Sequence, residues 1–104
     1  MIFLLTMQYN EDIHLSIFLR HYSRFFKPEN IYVIDHGSIK NNVPNEYNRI
    51  YVPRHKPFSE TDRLSLIKGI CHGLLPYYDY GVYADCDELI NLQGVDSSIF
   101  QKQI

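Results

Sequence analysis

Four short apolar runs of strand length, separated by stretches of helical spacing, restrict this chain to very few architectures. "IFLLTM" (2 to 7) and "IYVI" within 31 to 38 carry almost no polar interruption, and "RIYVP" (49 to 53) and "YGVYADC" (80 to 86) are β-branched and aromatic. Near-continuous apolar strands are those buried on both faces, the condition of a parallel sheet covered by helices. Between them, "NEDIHLSIFLRHYSRF" sets Ile13, Ile17, Phe18, Tyr22 and Phe25 at helical spacing, with Asn10 as N-cap and Glu11 and Asp12 in the first turn. "SETDRLSLIKGICHGLL" predicts a second helix, opened by Ser59 with Asp62 at the capping-box position and striped by Leu64, Ile67, Cys71 and Leu74 or Leu75. The order strand, helix, strand, strand, helix, strand makes the fold class α/β, a mainly parallel sheet flanked by helices.

The last stretch, "NLQGVDSSIFQKQI", reads as a turn followed by a helix starting at Asp96 to Ser98. The expectation is a single partial domain over residues 1–104, the front of a longer fold, whose truncated sheet edge invites self-association.

At 104 residues and 45% hydrophobic content the chain suffices for one core. A net charge of −2 gives no basic surface for nucleic acid, so the expected partner is small. "MIFLLTM" is too short to span a bilayer and lacks the flanks of a signal peptide. Cys71 and Cys86, the two cysteines, have no CxxC spacing and fit a reducing compartment. The expected location is cytoplasmic, at most peripheral to a membrane.

In parallel α/β sheets ligands bind beyond the carboxyl ends of the strands, and polar residues gather at those ends here: Tyr9 and Asn10, Asp35, then Asp85 and Asp87. If extended geometry persists to residue 87, Tyr83, Asp85 and Asp87 share one face and Val82, Ala84 and Cys86 the other. Two carboxylates so placed can reach one hard cation, Mg²⁺ or Mn²⁺, whose remaining ligands are phosphate oxygens and water. The same "DCDE" equally fits a helix N-cap with its N3 acid. Asp35 suits either a ribose or base contact or an Asx-turn. Arg63, one turn into its helix, suits either a pyrophosphate or base contact or an ion pair with Glu60. His14, His21, His36, His55 and His72 show no metal-ligand spacing and receive no role. The absence of GxSxG, P-loop and GxGxxG motifs removes serine hydrolases, Walker-type NTPases and Rossmann dinucleotide enzymes.

Taken together, "NEDIHLSIFLRHY", "IYVIDHGS", "FSETDRLSLIKGICHGLL" and "GVYADCDELI" resemble, in order and spacing, the nucleotide-sugar-binding half of a GT-A glycosyltransferase of the family 2-like group. The resemblance covers nearly the whole chain. It implies a nucleotide-diphosphate sugar donor and a glycan, lipid or protein acceptor. It also implies Mn²⁺ or Mg²⁺ on Asp85 and Asp87, and a nucleotide pocket lined by Tyr9, Asp35, Arg63 and Asp85. It assigns no general base, and the isolated chain is expected not to transfer sugar. "DHGS" departs from the family by continuing with Ile39 and Lys40 where another acid is common. Two other readings compete: a non-catalytic remnant or subunit that uses the sheet for protein interaction, and a metal-dependent nucleotidyltransferase-like domain.

Overall fold

A computed structural model of the chain describes residues 1–87 and, as backbone, 99–101. β1 (Ile2–Gln8) leads into helix α1 (Asp12–Tyr22), a 3₁₀ turn (Pro28–Asn30) and β2 (Ile31–Asp35). β3 (Asn48–Tyr51), α2 (Glu60–Leu74), a second 3₁₀ turn (Leu75–Tyr77), β4 (Tyr80–Tyr83) and β5 (Ile99–Gln101) follow. The sheet order is β3-β2-β1-β4-β5, parallel across the first four strands and antiparallel at β5. The α/β class with a mainly parallel sheet is therefore the observed architecture.

Period-2 alternation divides the core between the two sheet faces. Leu4, Ile31, Val33, Val82 and Ala84 pack with Leu15, Phe18, Leu19 and Tyr22 of α1, while Phe3, Leu5, Met7 and Ile34 pack with Ile67 and Cys71 of α2. At Gly81, directly beside Phe3 in the register, a Cβ would collide with the Phe3 ring, so only glycine leaves that aromatic its place.

Three sequence expectations are corrected. The buried stripe of α1 is Leu15, Phe18, Leu19 and Tyr22, whereas Ile13 is 77% exposed and Ile17 and Phe25 are exposed as well. The segment has apolar residues around most of its circumference, and tertiary packing selected the face containing both leucines. Asn10 is not the N-cap: it adopts φ +51°, a left-handed conformation that asparagine tolerates, and its side-chain oxygen accepts from the Ile39 N–H at 3.0 Å. Glu11 occupies the cap position, and Gln8 Oε1 accepts from its N–H at 3.1 Å. Third, where a helix was expected to be running, Ile99–Gln101 is a strand paired with Tyr80, Gly81 and Val82. Those pairings occupy part of the β4 edge that the sequence reading left open. The predicted helix start at residues 96–98 lies outside the described residues.

The second helix begins as predicted, with Ser59 Oγ accepting from the Asp62 N–H at 3.3 Å. Its buried residues include Ile67 and Cys71, and Leu75 follows, whereas Leu64 is exposed. Among the described residues no helix is long and apolar enough to cross a membrane.

Candidate functional site

The strand order reverses between β1 and β4: β1 connects through α1 to β2 on one side, and the chain returns through α2 to β4 on the other. Helices that leave a parallel sheet in opposite directions open a crevice beyond the carboxyl ends of the strands at that point. A cleft of about 360 Å³ lies there. β1 and its continuation supply Met7, Gln8, Tyr9 and Glu11, and the turn after β2 supplies His36. Arg54 and Phe58 come from the segment after β3, Arg63 from α2, and Asp85, Cys86 and Asp87 from beyond β4.

Four of the five predicted site residues, Tyr9, Arg63, Asp85 and Asp87, thus share one wall lining. Arg63 Nη2 donates to Asp85 Oδ1 at 2.6 Å and to the Tyr83 hydroxyl at 3.0 Å, and that hydroxyl donates to Asp85 Oδ1 at 2.9 Å. Arg63 Nη1 also reaches Glu60 Oε1 at 3.0 Å. Of the two alternatives for this arginine, the helical ion pair with Glu60 is present, and a bridge to the strand-end acid Asp85, which the sequence did not suggest, joins it. Burial by itself would lower the Arg63 pKa, but the neighbouring Tyr83, Asp85 and Glu60 outweigh it and leave it raised.

The expected face for the acids holds only in part. β4 ends at Tyr83 and residues 86 and 87 form a turn, so alternation carries Asp85 to the side of Tyr83 while Asp87 reaches the cleft through the turn instead. Glu88 lies outside the described residues.

Asp35 is placed elsewhere. It is fully buried, absent from the cleft lining, and committed on both oxygens: Oδ2 accepts from Arg49 Nη2 at 2.8 Å and Nε at 3.1 Å, and Oδ1 from the Ser38 N–H at 3.1 Å. Of its two alternatives, the Asx-type turn is the one observed. Strand parity explains the separation, since Asp35 shares its side of β2 with Ile31 and Val33 on the α1 face, opposite the α2 face to which Tyr83 belongs.

The lining also includes Glu11, His36, Arg54 and Phe58, to which no site role was assigned from the sequence. Arg54 lies over the Tyr9 ring at 4.1 Å and within 5.7 Å of the Phe58 centroid, with Nε donating to the His36 carbonyl at 3.2 Å. The one available signal was Gly37. It adopts φ +86°, and a Cβ there would meet Arg54 Cβ at 2.7 Å, so the "DHG" turn is shaped to receive the segment bearing Arg54.

In comparisons with family models, curated proteins and solved structures, nothing matches this chain. Its chemistry rests on the site itself.

The cleft has an acidic side. Burial, followed by the charges of Glu11, Asp87 and Asp85, pushes the Cys86 thiol up to about 12, which favours its protonated form. Among the described residues no three His, Cys, Asp or Glu side chains converge on one point suited to a metal. Asp85 and Asp87 both line the cleft and offer carboxylate oxygens, the donor type of a Mg²⁺-like ion, which is commonly held by one or two carboxylates together with substrate phosphates and water. The donor set of hard oxygens agrees with that ion and not with a thiophilic one.

Proposed function

We propose that this chain binds the donor of a GT-A glycosyltransferase, a nucleotide-diphosphate sugar accompanied by Mn²⁺ or Mg²⁺, for transfer to a glycan, lipid or protein acceptor. The observation that supports it best is the convergence of Tyr9, Arg63, Asp85 and Asp87 on one cleft at the point where the strand order reverses. Asp85 and Asp87 would hold the ion, which when bound neutralises charge on the leaving diphosphate. Arg63, half-buried and held at Asp85, adds a fixed guanidinium beside the same group. Tyr9 offers an aromatic ring, 41% exposed, at the cleft. Asp35 acts in this reading as a positioning residue, its carboxylate tying the turn after β2 to Arg49 of β3. We place the chain in the cytoplasm, a reading supported by two free, buried thiols.

Calorimetry with Mn²⁺ in the presence and absence of UDP tests the proposal. The ion is expected to bind weakly alone and more tightly with the nucleotide, because phosphate oxygens complete its shell. Equal affinity in both titrations, or binding in neither, overturns it.

A further inference from the structure

The two guanidinium groups of the cleft differ in what neutralises them. Arg63 is answered by Asp85 at 2.6 Å and Glu60 at 3.0 Å. Arg54 has no carboxylate within ion-pair distance among the described residues. Its contacts are the rings of Tyr9 and Phe58, the His36 carbonyl at 3.2 Å and His36 Nδ1 at 3.4 Å. With Nε and one Nη2 hydrogen directed at His36, three of the five guanidinium N–H donors have no partner among the described residues. The side chain is half-buried and lines the cleft, and stacking on Tyr9 with the close seat at Gly37 fixes where those donors sit. A planar, oriented fork whose charge lacks a counter-ion is suited to bidentate recognition of a phosphate.

We propose that Arg54 is the phosphate-binding cation of this cleft, a role that the resemblance to GT-A enzymes does not assign, and that it takes a diphosphate presented together with a divalent ion. The accompanying ion is required by charge. Arg54 and Arg63 share the cleft with Glu11, Asp85 and Asp87, and a bare polyanion entering beside three carboxylates is repelled. The proposal rests on the reading above only for the nucleotide attached to that diphosphate.

The test is calorimetric titration of inorganic pyrophosphate with Mg²⁺, and of UDP with Mg²⁺, into the wild-type chain, Arg54→Gln, Arg54→Lys and the exposed control Lys68→Gln, all checked for an unchanged thermal midpoint. Arg54→Gln should weaken pyrophosphate binding about 10- to 100-fold, the range of a lost charge-assisted pair. Arg54→Lys keeps the charge without the fork and should fall between; Lys68→Gln, which removes the same charge elsewhere, should match wild type. Pyrophosphate binding by Arg54→Gln at wild-type strength, or no binding of pyrophosphate by the wild-type chain, overturns the assignment. If UDP binds with metal dependence but is indifferent to Arg54→Gln, the nucleotide reading stands and this one falls. If pyrophosphate binding depends on Arg54 while UDP gains nothing over it, the phosphate site stands and the nucleotide reading falls.

Discussion

Two arginine–aspartate pairs sit at the same end of one sheet and have opposite characters. Arg49 and Asp35 meet at 2.8 Å with the acid wholly buried, and every oxygen of that acid is used inside the fold. Arg63 and Asp85 meet at 2.6 Å, yet the Asp85 side chain keeps 46% of its surface exposed and faces a cleft. The residue types are identical, so the chemistry of the pair does not distinguish them; access does. A pair whose acid is buried and fully bonded has no free oxygen to offer a ligand, whereas a pair open to a cavity can exchange partners with whatever enters.

Substitution of the acids sharpens this contrast most. Asp35→Ala strands the Arg49 guanidinium and the Ser38 N–H, and unfolding in urea should show a loss of about 2–4 kcal/mol, somewhat below a fully buried pair because Arg49 retains water access. Gly37→Ala comes next, since it combines φ +86° with an approach to Arg54; about 1–3 kcal/mol is expected by the same measurement. Asp85→Ala should cost no more than about 1 kcal/mol, as its pair is half-open to solvent, while abolishing the UDP-dependent gain in metal affinity. If Asp35 and Asp85 variants lose equal stability, the distinction drawn between the pairs is broken.

The smallest effect is pH-dependent and comes from His36, which bridges the two regions. Burial and the neighbouring Arg54 hold its pKa below the ordinary 6.5, with Asp35 pulling weakly the other way. The unfolded chain therefore binds more protons just below pH 6.5 than the folded one, so stability should fall as pH drops through that window and level off below the folded-state value. Urea midpoints measured at about pH 7.5 and about pH 5.5 should differ in wild type and less so in His36→Gln. An identical pH response in both proteins removes His36 as the cause.

The sheet was legible because each of its first four strands is announced by an apolar run and separated by helix-length spacing, and Ser59 declared its helix in advance. Face assignments were less secure. In α1, Ile13 and Ile17 compete with Leu15 and Leu19 for the same periodic signal, and only contact with Leu4 and Val33 decides between them. At the site, Tyr9, Asp85 and Asp87 follow from the rule that ligands gather at strand ends and Arg63 from its place one turn into α2, but the inclusion of Asp35 assumed that all strand-end acids turn the same way. Parity contradicts that for β2. Arg54 and Phe58 were beyond reach because they enter the cleft only through the parallel register of β2 with β3, in which Val33 faces Arg49 and Asp35 faces Tyr51. Nothing in a local window encodes that pairing.

The central position of β1 also governs how the chain can assemble. Translation delivers this strand before both of its partners, and β2 can flank it as soon as residues 31–35 emerge, but its other edge waits for Tyr80–Tyr83, which pair with Ile2 through Leu5. Phe3, Leu5 and Met7 likewise wait for Ile67 and Cys71 to cover them. Until residues 80–83 emerge the nascent chain therefore carries an apolar strand with one open ladder and one bare face, the kind of surface that chaperones recognise and that slows folding of sheets built from distant segments. The cleft, drawn from the ends of those same strands, is completed only when the last of them docks.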